Sequence, residues 1–281
     1  MAKKPSRASD YAPPQGKLAR STCLYVATKL GDLMDEIVIV GGLVPSLLID
    51  QGRLPQETPE HVGTMDVDIG LDLAILDEGI YHTLSERLRE AGFEPAVNDK
   101  GRPMRQTWQL AKQRSATVDF LIPPSLDTDK AGALRSIQKD FAAFIAPGLE
   151  LAFTDRRRIR IDGETPIGER AARSVWVCGP GAFVALKALA VGSRGLNKDA
   201  YDLYYLIRNF GAGVAEVAAC LRPLLVAPEA KQALRILQDD FLSHDGIGPR
   251  RVAEFLQGGP DDAVQADVVS FVKQLVDLCS G

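Results

Sequence analysis

The sequence holds few of the residues that build common metal sites and disulfide frameworks. It has four cysteines and three histidines in 281 residues, and none of them forms a C-x-x-C pair or an H-E-x-x-H motif. A zinc site needs clustered ligands, and a disulfide-bonded domain needs more cysteine per residue. We therefore expect reduced thiols in a cytoplasmic protein and no zinc-dependent hydrolase.

Long apolar runs and the common phosphate-binding motifs are lacking too. The longest nearly continuous apolar run, residues 37–49, contains two glycines and a proline and is too short to span a bilayer. The chain has no G-x-x-x-x-G-K-[ST], G-x-G-x-x-G or G-x-S-x-G motif. These absences argue against a membrane protein, a P-loop enzyme, a dinucleotide-binding dehydrogenase and a serine hydrolase.

Charge of one sign is not in excess either. The 33 basic and 37 acidic residues give a net charge of −4. This balance argues against a protein that binds nucleic acid through bulk charge, but it permits a local basic groove. The apolar share of 46% and the charged share of 25% are those of a globular chain, whose length fits one large domain or two modest ones.

Hydrophobic periodicity predicts an α+β fold, in which a mixed sheet flanked by helices is followed by a helical C-terminal half. We expect a flexible arm over residues 1–17, a sheet domain over 18–175, and a helical domain over 176–281 that completes the cleft. The predicted helices of the first half cover residues 18–34, 43–50 and 77–91. The predicted strands cover residues 36–42, 65–73, 93–97, 105–110 and 117–122, with a hairpin of 149–153 and 157–161.

Two aspartates alternate with apolar residues in the predicted strand 65–73. Because strand side chains alternate between faces, Asp66 and Asp68 project from the same side. Carboxylates so close together repel each other unless a cation lies between them, and Mg²⁺ or Mn²⁺ suits such ligands. If the strand containing Asp119 is a neighbour, the three acids converge and could hold two metal ions for a phosphoryl-type displacement. The alternative is that the aspartate pair is only the solvated face of an edge strand.

A glycine pair, Gly41-Gly42, lies where the first predicted strand turns into a helix. Free backbone N–H groups and the positive end of a helix could cradle a triphosphate there. Alternatively, the glycines serve only a tight turn. The combination of strand, glycine pair, helix, D-x-D strand and further acid favours the first interpretation.

This combination resembles the DNA polymerase β-like nucleotidyltransferase superfamily, which is marked by a hydrophobic strand, Gly-[Gly/Ser], a helix and a D-x-D strand. Two segments narrow the resemblance. Thr64-Met-Asp-Val-Asp and Lys198-Asp-Ala-Tyr-Asp-Leu are similar to motifs of the AbiEii/AbiGii-type toxin family, also called MenT-like. The resemblance covers residues 36–210.

The resemblance implies roles for individual residues. It implies a catalytic metal centre for Mg²⁺ or Mn²⁺ that is formed by Asp66, Asp68 and Asp119. Catalytic roles are implied as well for Lys187, Asp199 and Asp202, with one of the two acids at the cleft. The implied nucleotide-binding residues are Gly41, Gly42, Thr64, Lys187 and Lys198.

The charged residues that the resemblance selects in the helical half also allow other interpretations from the sequence alone. Lys187 is the only charge in a strongly apolar helix, so it either extends to the surface or presents its cation to a triphosphate in the cleft. Asp199 and Asp202 border the apolar stripe of their helix and are either favourable acids near its N-terminus or acids of a site. Lys198 and Asp202 are i, i+4 neighbours and can pair.

The densest basic run covers residues 156–160. In a strand, Arg156, Arg158 and Arg160 would share a face and could follow a nucleic-acid phosphate backbone. A solvated hairpin is the alternative interpretation.

The prediction from these residues and from the resemblance is a metal-dependent nucleotidyltransferase of EC 2.7.7 type. It would transfer a nucleoside monophosphate from a nucleoside triphosphate (NTP) to a hydroxyl. The resemblance implies a tRNA 3′ end as the acceptor and a cognate antitoxin as a partner. Two alternatives stay open: the same chemistry on a protein or on a small molecule such as an aminoglycoside, and a non-catalytic nucleotide- or partner-binding protein of the same fold.

Overall fold

The computed structural model describes residues 5–11, 13–72, 78–126 and 129–280. Within these residues the chain forms two compact units. The first unit contains the described residues of 13–43 and 63–177, and the second contains those of 4–12, 44–62 and 178–281.

The first unit is built on a mixed sheet that has nine strands among its described residues. The strands are β1 (Ile37–Val40), β2 (Asp66–Leu71), β3 (Phe93–Val97), β4 (Pro103–Leu110), β5 (Gln113–Ile122), β6 (Leu134–Gln138), β7 (Phe141–Ile145), β8 (Arg156–Glu164) and β9 (Arg170–Cys178). Seven of them follow the order β3-β4-β5-β2-β1-β9-β8, and β7 pairs with both β5 and β6. The sheet is mixed because β2 runs antiparallel to β1 and parallel to β5.

The centre of this sheet forms the apolar core of the first unit. All four residues of β1 are buried, and Val67, Ile69 and Phe120 of β2 and β5 are fully buried. The unit also contains α1 (Pro13–Leu30), α3 (Glu78–Glu90) and α4 (Glu150–Thr154). α1 packs against β2 and β5, and α3 packs against α1 and β3. The apolar residues of β2 thus fill the core, and its aspartates alternate with them.

The second unit is helical in its described residues. Its helices are α2 (Val44–Leu48), α5 (Pro180–Arg194), α6 (Asn197–Asn209), α7 (Val214–Leu221), α8 (Pro228–Phe241), α9 (Ile247–Gln257) and α10 (Asp262–Ser280). Leu203, Leu206 and Ile207 of α6 are fully buried at the i, i+3, i+4 spacing of a core stripe. α6 packs against α5 and α9.

The predicted fold class is confirmed, since a mixed sheet flanked by helices is followed by a helical C-terminal part. The first helix differs from its prediction because it begins at Pro13 and ends at Leu30, before Gly31 with φ 57°. Residues 13–17 of the predicted arm are therefore helical. The predicted helix 77–91 appears as α3, whose first predicted residue, Asp77, lies outside the described residues, as does Leu73 at the end of the second predicted strand.

The predicted hairpin of residues 149–153 and 157–161 is wrong. Residues 150–154 form α4, because turn hydrogen bonds such as that from the Leu151 N–H to the Gly148 carbonyl (3.0 Å) start a helix there. β8 pairs with β9 instead. The strands β6, β7 and β9 have no counterpart among the predicted strands.

Among the described residues, no single helix is long and apolar enough to cross a membrane. The segments Asn197–Asn209 and Val214–Val226 are long and apolar enough only when they are counted together, and the chain bends by 111° between them.

Candidate active site

Three carboxylates lie together on the neighbouring strands β2 and β5. Asp68 of β2 lies opposite Asp119 in the parallel register, and Asp66 is two residues before Asp68. One carboxylate oxygen from each of the three acids lies within 4.8 Å of the other two. Asp66 and Asp119 are buried, at 8% and 5% exposed, and Asp68 is half-buried. The structure thus brings together the three acids that sequence analysis selected.

Threonine hydroxyl groups orient two of these carboxylates. Thr64 Oγ1 donates a hydrogen bond to Asp66 Oδ1 at 2.9 Å, and Thr107 Oγ1 donates one to Asp119 Oδ1 at 2.6 Å. Thr107 lies directly across from Asp119 in the antiparallel register of β4 and β5. Both threonines are buried. Such bonds fix the carboxylate rotamers before any ligand arrives.

Gly41 brings the backbone against the acid cluster. Its φ is +72°, a conformation that side chains disfavour, and a Cβ atom at this position would lie 1.8 Å from Asp68 Oδ2. The helix predicted over residues 43–50 is only the five-residue α2, Val44–Leu48. A phosphate cradle here would therefore depend on the backbone at Gly41 and not on a helix dipole.

We expect Gly41→Ala to weaken divalent-metal binding by about 10- to 100-fold, because the new methyl group would displace the Asp68 carboxylate. Gly101→Ala is the matched control, since Gly101 has φ +71° and nothing within 4 Å of an added Cβ. Both variants should lose about 1–2 kcal/mol of stability from the left-handed backbone. Mn²⁺ titration followed by electron paramagnetic resonance measures the difference. Equal Mn²⁺ affinity in the two variants would contradict the assignment.

The acid cluster has the donor set of a hard divalent cation. Its three ligand atoms are all carboxylate oxygens, which Mg²⁺ and Mn²⁺ prefer over nitrogen or sulfur. Three like charges so close together repel one another, and a cation between them removes that repulsion. The donor set and the close approach of Gly41 to Asp68 therefore fit Mg²⁺ or Mn²⁺.

The second unit contains a separate buried ion-pair network. Lys187 Nζ on α5 donates to Asp199 Oδ1 at 2.8 Å and to Asp202 Oδ2 at 2.7 Å. Lys198 Nζ donates to Asp202 Oδ1 at 2.7 Å. Arg194 contacts Asp199 through Nε at 2.7 Å and through Nη2 at 2.8 Å. Lys187 is only 6% exposed, so the interpretation that it extends to the surface is wrong.

The ion pairs of this network favour the charged forms of Lys187, Asp199 and Asp202. Burial acts to raise the pKa of Asp199 and Asp202, but the Lys187 ammonium and its neighbouring cations outweigh it and hold both values well below the usual range. Burial acts to lower the pKa of Lys187, yet the two carboxylates raise it overall. Burial lowers the pKa of Lys198 despite Asp202. With Arg194, three basic side chains contact the two carboxylates.

His61 belongs to this network although no sequence pattern selected it. Its ring is fully buried, and Nε2 lies 2.9 Å from Asp202 Oδ1. The ring stacks on Tyr201 at a centroid distance of 5.4 Å and meets the edge of Tyr205 at 5.0 Å. Burial lowers the pKa of His61, and the nearby lysines lower it further, while Asp202 opposes the shift. At pH 7 the ring is therefore neutral and donates its Nε2–H to Asp202.

We expect the free energy of unfolding to decrease as the pH falls below about 6.5, because the unfolded chain then binds a proton at His61 that the folded chain binds only at lower pH. The slope from this group approaches about 1.4 kcal/mol per pH unit, and His61→Gln should remove it. His82→Gln is the control, since the His82 side chain is 64% exposed. Denaturant unfolding between pH 7.5 and 5.5 tests this, and an unchanged slope in His61→Gln would refute it.

The predicted arginine face lies elsewhere in the first unit. Arg156, Arg158 and Arg160 lie on β8, an edge strand separated from β2 by β9 and β1, or about 14 Å at ordinary strand spacing. The guanidinium groups of Arg156 and Arg158 lie 4.3 and 5.3 Å from the centre of the Trp176 ring. Arg158 also forms a 3.0 Å ion pair with Asp35. The structure does not bring these arginines to the acid cluster, and their contact with nucleic acid stays a prediction.

Three residues of these two sites were missed by sequence analysis. Thr107 had a usable signal, because it is a polar residue inside the predicted strand 105–110. Such a residue can face an acid on the neighbouring strand, as Thr107 faces Asp119. Arg194 lies in the last turn of α5, five residues before its partner Asp199. The i, i+4 spacing rule does not indicate this pair, because the helix ends at Gly195 between the two residues. His61 precedes β2 outside any regular element, where periodicity carries no information.

A family model described as the nucleotidyl transferase AbiEii toxin, Type IV TA system, matches residues 59–278. No curated protein sequence matches the chain. Among solved structures, it is similar to an antigenic nucleotidyltransferase-like protein from Paracoccidioides brasiliensis, at 18% identity and a TM-score of 0.38 over 78% of this chain and 93% of that one.

The family match defines the class of the protein as nucleotidyl transferase. The chain belongs to the AbiEii toxin family of type IV toxin–antitoxin systems, because the matched residues make up well over half of it. The resemblance inferred from the motifs is thereby confirmed. Both the acid cluster and the Lys187 network lie within the matched residues, whereas Gly41 and Gly42 precede them.

Proposed function

We propose that the protein transfers a nucleoside monophosphate from an NTP to a hydroxyl group, with Mg²⁺ or Mn²⁺ held by Asp66, Asp68 and Asp119. In this reaction the acceptor oxygen bonds to the α-phosphorus, the bond from that phosphorus to pyrophosphate breaks, and the hydroxyl proton is released. The observation that supports the proposal is the cluster of three carboxylate oxygens within 4.8 Å of one another.

The residues of the first unit have distinct roles in this proposal. When bound, the metal supplies charge neutralisation for the triphosphate and lowers the pKa of the attacking hydroxyl. Thr64 and Thr107 hold Asp66 and Asp119 in fixed rotamers. We assign to Asp119 the acceptance of the hydroxyl proton. Gly41 and Gly42 offer backbone N–H groups to the phosphates, and the backbone of Gly41 lies against Asp68 because this residue has no Cβ.

The proposal also assigns roles to Lys187 and Lys198 of the second unit, on the basis of the family resemblance. Three basic side chains (Lys187, Lys198 and Arg194) contact the two carboxylates of Asp199 and Asp202. Because the ammonium groups of both lysines are already bound by aspartates, we assign them an electrostatic role toward the triphosphate and not a flexible grip. Asp199 and Asp202 fix the positions of these cations.

Family membership supports the remaining parts of the proposal. We propose a tRNA 3′ end as the acceptor, growth arrest as the consequence and a cognate antitoxin protein as the partner. The arginines of β8, with Arg158 half exposed, are the proposed surface for the tRNA phosphate backbone. We place the reaction in the cytoplasm, where NTPs and tRNA are both present.

Incubation of the purified full-length chain with Mg²⁺, each α-³²P-labelled NTP and total tRNA tests the proposal. Label on the tRNA 3′ end is the expected result. Label on protein or on an added aminoglycoside instead would move the acceptor assignment while keeping the chemistry. No transfer to any acceptor would contradict the proposed function and favour a non-catalytic binding protein.

A further inference from the structure

The strand β8 has a neighbour on only one side within the described part of the sheet. It stands last in the order β3-β4-β5-β2-β1-β9-β8 and pairs with β9 alone. Five of its nine residues are exposed, namely Arg158, Arg160, Asp162, Gly163 and Glu164. The unpaired N–H and C=O groups along an exposed border strand form a template on which another strand can pair.

Other border strands of this sheet carry features that hinder such pairing. β3 contains Pro95, and its register with β4 shifts between Pro95 and Ala96. β6 is paired with β7, and their register shifts between Ser136 and Gln138. A proline removes a donor and an irregular register bends the strand, so both features protect an exposed edge. β8 has no proline, and its one residue with a positive φ, Gly163 at 143°, lies next to its last residue.

The charges along β8 are complementary to themselves. Its first half is basic and its second half is acidic, with Ile161 between the two. If two β8 strands pair in antiparallel fashion about Ile161, Arg160 of each copy lies opposite Asp162 of the other, and Arg158 lies opposite Glu164. Each contact occurs twice, because such a pair has twofold symmetry. Opposite charges across a strand pair stabilise it, whereas a parallel pair in register would place arginine opposite arginine.

These charged side chains have few partners within the chain. Arg160, Asp162 and Glu164 form no side-chain hydrogen bond or ion pair among the described residues. Arg158 forms an ion pair with Asp35, but both side chains of that pair are more than a third exposed, at 50% and 59%. An exposed ion pair contributes little, so Arg158 can exchange this contact for another carboxylate at small cost.

We propose that two copies of this chain pair through β8, in an antiparallel arrangement centred on Ile161. The partner is a second copy because the charge pattern of the strand supplies both halves of every contact. One sheet would then continue through the first units of both copies, and Arg156 would lie outside the charged pairs. The contact involves a single short strand, and small interfaces are weak. We therefore expect a dissociation constant in the micromolar range.

The paired strands share two arginines with the proposed tRNA surface. Arg158 and Arg160 cannot contact a carboxylate of the second copy and a tRNA phosphate at the same time, so pairing and tRNA binding compete. The oligomeric state is therefore measured without nucleic acid. Transfer rates and melting temperatures of β8 variants are compared with the wild type well below the dissociation constant, where all of them are monomers.

Sedimentation velocity of the full-length chain, from nanomolar to high micromolar concentration, tests the proposal. Arg160→Asp and Asp162→Arg each place like charges opposite each other in the paired strands. The double variant, with both changes, restores opposite charges with their signs exchanged. Arg102→Asp is the control for reversal of an exposed arginine, because Arg102 lies between β3 and β4. Circular dichroism checks that each variant is folded, as expected for exposed positions.

We expect the wild type and Arg102→Asp to dimerise with the same dissociation constant. Each single reversal on β8 should raise that constant by at least about tenfold, and the double variant should return it to within about threefold of the wild-type value. High salt should weaken the wild-type dimer, because the charged contacts lie at the surface.

A wild type that stays monomeric at every concentration would overturn the proposal and leave a strand of another protein as the candidate for this edge. A dimer that the single reversals do not weaken, or that the double variant does not restore, would also overturn it, because the contact would then lie elsewhere on the chain. Neither result depends on whether the chain transfers nucleotide, so the proposed function is tested separately.

Discussion

Asp66→Asn is expected to reduce nucleotidyl transfer by at least about 10²- to 10³-fold, the loss typical of removing a group that stabilises developing charge in a transition state. Asparagine keeps the shape of the side chain and an oxygen that can accept the Thr64 hydrogen bond, but it removes one of three negative charges around the cation. Single-turnover rates with a labelled NTP measure the loss. Mn²⁺ affinity should fall in the same variant.

The stability of Asp66→Asn separates a metal site from a structural one. In EDTA its melting temperature should equal or exceed that of the wild type, because the variant relieves repulsion within the acid cluster. Asp162→Asn, an exposed change on β8 in the same unit, is the control and should alter neither rate nor stability. Transfer at the wild-type rate by Asp66→Asn, or a large loss of stability in EDTA, would contradict the assignment.

Lys187→Met is expected to lower the free energy of unfolding by about 3–5 kcal/mol, the usual cost of removing one partner from a buried ion-pair network. The change leaves Asp199 and Asp202 buried with one fewer cation between them. Denaturant unfolding measures the loss. The control is Lys273→Met, which breaks an exposed i, i+4 pair with Asp277 and should cost less than about 0.5 kcal/mol.

Kinetics distinguish the proposed electrostatic role of Lys187 from a purely structural one. Lys187→Arg retains a charge, so at a temperature where both variants are folded it should keep more of the transfer rate than Lys187→Met. An unfolding cost for Lys187→Met no larger than that of Lys273→Met would mean that the network does not stabilise the unit. Equal transfer rates in Lys187→Arg and Lys187→Met would remove the electrostatic role.

The acid cluster could be predicted in part because strand side chains alternate between the two faces of a sheet, with a period of two residues. Alternation along β2 places Asp66 and Asp68 on one face whatever the rest of the fold does. The position of Asp119 needed one further condition, that β5 lies beside β2, and periodicity does not give strand order. The parallel register that aligns Asp68 with Asp119 is a property of the whole sheet.

The ion-pair network could be predicted only in part. The i, i+4 spacing of Lys198 and Asp202 indicates a pair, and the structure has one at 2.7 Å. The contacts of Lys187 with α6 depend on how two helices pack. His61 joins the same carboxylate from outside any regular element. Sequence analysis considered a surface and a ligand for Lys187 and did not consider two buried carboxylates.

The first turn of α1 was assigned to a flexible arm because residues 1–17 are polar and rich in proline. Proline is nevertheless favoured at the first position of a helix, and α1 begins at Pro13. The hairpin assigned to residues 149–153 failed for a related reason: a five-residue apolar run fits a short helix as well as a strand.

Anomalous diffraction from crystals grown with Mn²⁺ and an α,β-methylene NTP analogue tests the central claim most directly. The account predicts Mn²⁺ in direct contact with carboxylate oxygens of Asp66, Asp68 and Asp119, and the triphosphate against the backbone of Gly41. Mn²⁺ bound at other residues, or a triphosphate bound away from Gly41 with the three carboxylates lacking metal, would contradict it.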